Sequence, residues 1–118
     1  MSITLQNGTT LYEMYDGFSV SNEAGKYQLL LEGPATGTLG DEMTYHDLMN
    51  FSTPDRDNDL WSGHCAAAHD LRGGWWFNHC NRVYFNGRWS PELWNRPWTP
   101  TVKTGASVRG TTMMIRRN

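Results

Sequence analysis

With 118 residues, 38% of them apolar, and a formal charge of −2, the chain has room for one domain with a single core. The near-neutral balance argues against a nucleic-acid binder, which carries a basic stripe, and the pair Arg116-Arg117 reads as a solvated end. No apolar run is long enough to span a bilayer, so membrane insertion is not expected, and residues 1–5 lack the basic start and apolar stretch of a secretory leader.

Residues 3–6, 11–15, 18–20 and 27–31 read as strands, because apolar and polar residues mix there with the aromatic and β-branched bias of a sheet. Asn7-Gly8 and Asp16-Gly17 are strong hairpin dipeptides, and Asn22-Glu23-Ala24-Gly25 supplies a longer turn, so an antiparallel meander is expected. Residues 33–40, rich in glycine, proline and threonine, read as a surface loop. Asp41 then suits the cap of a short helix through Met49, with Met43, Leu48 and Met49 facing inward. From Phe51 to about Pro100 periodicity vanishes while tryptophan accumulates; long irregular stretches in small domains are usually functional or stapled. Residues 108–116 read as a closing strand, with Thr111 through Ile115 pairing back into the sheet.

The irregular stretch opens with Asp55-Arg56-Asp57-Asn58-Asp59, followed by Gly63 and Cys65. Oxygen ligands at alternate positions suit calcium, and three carboxylates facing one way repel unless a cation neutralises them. A solvated acidic turn accounts for the same residues. An EF-hand does not, since its required glycine and glutamate positions hold Leu60 and Ala66. Cys65 and Cys80 form either a short bridge or two separate buried thiols, and their spacing disfavours zinc.

Tyr15-Asp16-Gly17-Phe18-Ser19-Val20, Thr44-Tyr45-His46, Phe51-Ser52-Thr53-Pro54-Asp55, the acidic loop, Gly73-Gly74-Trp75-Trp76-Phe77-Asn78-His79-Cys80, Asn86-Gly87-Arg88-Trp89 and Thr111 to Arg116 follow one another in a telling order. Together they resemble the C-terminal half of a fibrinogen-like domain, the module of fibrinogen chains, ficolins, tachylectins, angiopoietins and tenascins. The resemblance implies an α+β fold in which a small antiparallel twisted sheet carries a long calcium- and disulfide-stabilised loop region. It implies a single truncated domain without the family's N-terminal subdomain: strands and a short helix over 1–50, recognition loops over 51–100, a closing strand over 101–118.

By the same resemblance, calcium takes side-chain ligands from Asp57 and Asp59 and backbone carbonyls from Trp61 and Gly63, with Asp55 acting through water or by orienting the loop. Cys65 and Cys80 pair. A ligand pocket falls on Asn78, His79, Cys80 and Asn81, with His69 and Asp70 at its rim and a cis peptide at His79–Cys80. Secretion and a glycan or protein partner follow, with lectin-like capture of acetylated groups first and a protein-interaction module second. The chain departs from the lectin pattern in three places: Asn81 stands where many such members have histidine, the interval between the cysteines is longer, and residues 98–107 lack the usual aromatic walls.

Among the six tryptophans, Trp75 and Trp76 read as core, whereas Trp89, Trp94 and Trp98 suit either core or an exposed aromatic surface. His46 and His64 read as hydrogen-bonded structural histidines. Asn7-Gly8-Thr9 and Asn50-Phe51-Ser52 match the N-glycosylation acceptor pattern, which places Asn7 and Asn50 as candidate sites in a secreted chain. No nucleophile elbow, zinc-hydrolase helix or phosphate loop appears, so an enzyme is not expected.

Overall fold

The computed structural model describes residues 1–68, 73–87, 96–102 and 107–117. His69, Asp70, Trp89 and Trp94 lie outside the described residues. Four strands, β1 (Ser2–Leu5), β2 (Thr10–Val20), β3 (Leu29–Gly37) and β4 (Val108–Thr112), form one antiparallel sheet in the order β3-β2-β1-β4.

Asn7-Gly8 turns β1 into β2 as expected, with Gly8 at φ +88° and its N–H donating to the Leu5 carbonyl at 2.9 Å. Asp16-Gly17 does not turn. β2 runs straight through it, because the register steps from Tyr15 opposite Ala35 to Gly17 opposite Glu32, setting Asp16 alone against Gly33-Pro34. This is a bulge, and bulges use the same residues as turns. Gly33, at φ +78°, supplies the left-handed conformation, and Pro34 is tolerated because β3 is an edge strand. The segment read as a loop over 33–40 is therefore strand as far as Gly37.

The expected strand over 27–31 starts only at Leu29, since Lys26 and Tyr27 sit at φ +58° and +52°, just past the 3-10 turn Glu23–Gly25 that Asn22 caps. β4 ends at Thr112 because its partner β1 ends at Ser2, which faces Thr112. Thr111 and Thr112 pair as expected, but residues 113–116 have no strand beside them among the described residues.

After β3 the chain folds back over β2. The N–H groups of Thr38 and Leu39 donate to the Tyr12 carbonyl, and that of Gly40 to Glu13 Oε1 at 3.0 Å, which is how a carboxylate is tolerated at 3% exposure. The N-cap of the next element is Glu42, one residue past the expected Asp41; Asp41 still receives the N–H of Thr44, and it also receives the Tyr15 hydroxyl at 2.9 Å. Burial, and after it Asp41, pushes the Tyr15 phenol above its usual range. The capped element is a single 3-10 turn, Met43–His46, that buries Met43 and His46. Leu48, expected inward, is exposed at φ +65°, and its N–H is spent on the Leu29 carbonyl.

Below the sheet the core is aromatic. Trp75, Phe77, Tyr84 and Trp98 are fully buried and meet their neighbours edge-on or tilted, as with Trp75 and Tyr84 at 6.0 Å and Phe77 and Tyr84 at 5.3 Å. Trp98 is thus core, not surface, and its indole N–H donates to the Gly40 carbonyl at 2.8 Å. Trp76 likewise reaches the Tyr27 carbonyl, tying the irregular half to the sheet.

Candidate recognition segment and acidic loop

His46 fixes the geometry of the site from beneath. Its Nδ1 donates to the Trp76 carbonyl at 2.9 Å, so Nε2 is the unprotonated nitrogen and accepts the N–H groups of Arg82 and Val83 at 3.2 and 3.1 Å. Burial holds its pKa down at about 4. One neutral ring therefore organises the backbone on both sides of the segment 77–82. His64 is also structural, with Nε2 donating to the Thr53 carbonyl at 2.9 Å.

The acidic loop begins with a tight turn in which Thr53 and Arg56 exchange backbone hydrogen bonds. Asp55 sits at its exposed tip and receives the Thr53 hydroxyl at 2.6 Å, which holds its carboxyl below the usual range. Asn58 then anchors the chain, its N–H on Ser52 Oγ and its amide on the Phe51 carbonyl. Asp57 receives the N–H of Asp59. Asp59 receives two N–H groups, from Trp61 and Cys65, each at 2.9 Å. Burial pushes the Asp59 carboxyl up, and the Asp57 carboxylate beside it adds to the rise while the Cys65 N–H opposes it.

Trp61 lays its ring over Gly63, where a β-carbon would come within 2.6 Å of that ring, so a side chain there would have to displace it. No donor among the described residues reaches the carbonyls of Trp61 or Gly63. Among the described residues no three acidic, histidine or cysteine side chains converge. The loop instead offers two adjoining carboxylates and two carbonyls within a few residues, a hard-oxygen set of the type that suits calcium.

Cys65 and Cys80 are bonded, their Cα atoms 5.2 Å apart, which sets the recognition segment against the acidic loop. The Leu60 N–H donates to the Asn78 carbonyl at 3.1 Å as a second tie. The peptide His79–Cys80 is trans, contrary to expectation; among the described residues Thr99–Pro100 is the cis bond. The unusual backbone sits one bond further on, at Cys80, whose φ of +60° is sparsely populated for a residue with a side chain. Three interactions hold it there: the disulfide, the Asn78 N–H on the Cys80 carbonyl, and the Asn78 amide on the Tyr45 carbonyl at 2.8 Å.

Tyr45 adds a fourth, donating its hydroxyl to the His79 carbonyl at 3.2 Å. The carbonyls of residues 78–80 are thereby occupied, and His79 N–H is taken by Asn78 Oδ1. The N–H groups of Cys80 and Asn81 have no acceptor among the described residues. The Asn81 side chain is turned to the Arg96 carbonyl. Exposed His79 stands 6.1 Å edge-on from Trp61, and Arg82 lies 4.5 Å over Tyr45 with Glu42 at 3.5 Å.

The expected pocket residues Asn78 to Asn81 lie on one segment, and Tyr45, Arg82 and Glu42, which pack beside it, were not among the expected residues. Thr44-Tyr45-His46 was visible as a motif; its contact with residue 79 was not, because the two are joined only through the fold.

A four-stranded antiparallel sheet backed by a coil that a disulfide and an acidic loop hold together defines a fibrinogen-like globe. The chain belongs to the family described as fibrinogen beta and gamma chains, C-terminal globular domain, whose model matches residues 1–118. It is 43% identical to chicken (Gallus gallus) tenascin over 70% of its length and 4% of that protein's. It is 45% identical to mouse (Mus musculus) angiopoietin-related protein 6 over 64% of its length and 16% of that protein's. The fibrinogen-like globe domain of human ANGPTL6 superposes with a TM-score of 0.77 at 35% identity, covering 92% of this chain and 50% of that one. Lamprey fibrin D-dimer, solved with the peptide ligand Gly-His-Arg-Pro-amide, superposes at 0.70 with 30% identity, over 77% of this chain and 32% of that one. The chain thus spans half the length of the globe domain it matches.

Proposed function

We propose that this chain is an extracellular recognition domain that binds a peptide segment of a protein partner at residues 78–82, with calcium at Asp57 and Asp59 and the carbonyls of Trp61 and Gly63 as its scaffold. The observation that carries this reading is the pair of N–H groups at Cys80 and Asn81, which have no acceptor among the described residues and are fixed by a disulfide, a left-handed residue and the Tyr45 hydroxyl. Adjacent, immobilised N–H donors take a carbonyl or carboxylate with little ordering cost. The peptide carried by the lamprey relative supports the class of ligand. The bound cation relieves the repulsion of the carboxylate pair, whose proximity already raises Asp59.

An N-acetyl sugar offers the same acceptor, and its methyl suits the edge formed by His79 and Trp61; this lectin-like capture is the second reading. Either is binding rather than catalysis.

Two resins, one carrying Gly-His-Arg-Pro-amide and one carrying N-acetylglucosamine, separate the two. Retention on the peptide, lost on chelation and weakened about fivefold to tenfold in Tyr45→Phe through loss of one hydrogen bond, is the expected result. Retention on the sugar alone shifts the assignment to the lectin. Binding that ignores both the chelator and Tyr45→Phe removes residues 78–82 as the site.

A further inference from the structure

We propose that Asn7 carries an N-linked glycan and that Asn50, despite the same acceptor pattern, does not. The inference rests on the extracellular reading above, since the modification requires passage through the secretory pathway. Asn7, Gly8 and Thr9 form the exposed tip of the β1–β2 hairpin. A β-carbon built on Gly8 meets nothing within 4 Å, so the tip projects into open space. Asn7 Oδ1 accepts the Thr9 N–H at 2.9 Å, and the amide nitrogen donates to no acceptor among the described residues.

The second triplet is built into the fold. Asn50 is half-buried, Phe51 packs 5.3 Å from Trp76, and Ser52 is fully buried. Ser52 exchanges backbone hydrogen bonds with Trp75 at 2.9 and 3.1 Å, and its hydroxyl receives the Asn58 N–H that anchors the acidic loop. A glycan on Asn50 competes with that packing, so a chain modified there does not reach the folded, disulfide-bonded state.

In the transfer step the Asn7 side-chain nitrogen forms a bond to the anomeric carbon of an oligosaccharide carried on a polyprenyl pyrophosphate. The carbon–oxygen bond to the pyrophosphate breaks, the lipid pyrophosphate leaves with the electron pair, and the transferase's base takes one amide proton. No redox change occurs.

The test expresses the full chain behind a cleavable secretory leader in cultured animal cells and weighs the secreted protein before and after an amidase that removes N-glycans. One glycan is expected, lost in Asn7→Gln and in Thr9→Ala, and kept in Asn50→Gln. Secreted, disulfide-bonded protein with an unmodified Asn7, or a glycan that survives Asn7→Gln, overturns the proposal. Because no hydrogen bond among the described residues joins the hairpin tip to residues 78–82, a glycosylated domain that binds neither resin sinks the recognition reading and leaves the glycan assignment standing.

Discussion

A single neutral histidine carries three backbone hydrogen bonds here, and that makes it a pH-sensitive point in the fold. The pKa of His46 falls from 6.5 to about 4 on folding because burial disfavours the charged ring. The folded state therefore binds fewer protons than the unfolded chain between those values, so stability rises with pH across the window. The contribution is complete above about 6.5 and lost as pH falls towards 4, a change on the order of 3 kcal/mol. Urea midpoints taken from pH 7.5 down to 4 are expected to fall along that curve in the wild type. His46→Ala is expected to flatten it while costing roughly 2–4 kcal/mol at pH 7.5, since two N–H groups and one carbonyl lose their partner.

Asp57 is the opposite case, a charged residue whose carboxylate crowds that of Asp59. Asp57→Asn keeps the acceptor for the Asp59 N–H and removes the neighbour that helps raise the Asp59 pKa. In chelator the variant is expected to unfold at the same or a higher urea concentration than wild type. In calcium at about a hundredfold excess over its dissociation constant, wild type should gain about 2.7 kcal/mol and the variant should gain little. A full calcium response in the variant removes Asp57 from the ligand set. The closeness of Asp57 and Asp59 was legible from sequence because alternation along a few residues is local information. The wall of Tyr45 and Arg82 was not, because it exists only once His46 has docked under both.

At the scale of elements, the chain misleads where turn residues serve a bulge. Asp16-Gly17 and Gly33-Pro34 signal chain reversal when each is read alone, yet they face one another across β2 and β3 and bend a continuous strand pair. A β-carbon on Gly33 would come within 2.9 Å of the Asp16 side chain in a backbone conformation that L-residues avoid. Gly33→Ala is accordingly expected to cost about 1–3 kcal/mol. The control is Gly110→Ala: Gly110 also lies in a strand, where a β-carbon meets nothing within 4 Å, and it should stay within about 0.5 kcal/mol of wild type. Equal losses in both would mean that the bulge is not specially strained by a side chain. The strands themselves were readable from their aromatic and β-branched bias, but their bounds depended on partners: β4 stops where β1 runs out, and β3 continues past glycine and proline because an edge can carry them.

Across the whole molecule, the acidic loop and the segment 78–82 are one mechanical unit. Asp59 holds the N–H of Cys65, Cys65 is bonded to Cys80, and Leu60 is hydrogen-bonded to Asn78, so any shift in the acidic loop reaches the donors at Cys80 and Asn81. If calcium orders that loop, part of the ordering cost of ligand binding is already met, and the two equilibria are linked. Linkage is reciprocal: the factor by which calcium tightens the ligand must equal the factor by which ligand tightens calcium. Couplings of this kind amount to about 1–3 kcal/mol, or roughly 5- to 150-fold. Calorimetric titration of the better-retained of the peptide and acetyl-sugar probes, with and without calcium, and of calcium with and without the probe, gives both factors. Reduction of Cys65–Cys80, whose half-cystines are 15 residues apart, removes roughly 3 kcal/mol of constraint and one of the two ties. In reduced protein that remains folded by circular dichroism, the coupling factor is expected to shrink towards one even where calcium still binds. A factor unchanged by reduction would route the communication through Leu60 and Asn78 alone, and a factor of one in the oxidised protein would mean that the cation stabilises the domain without touching its ligand site.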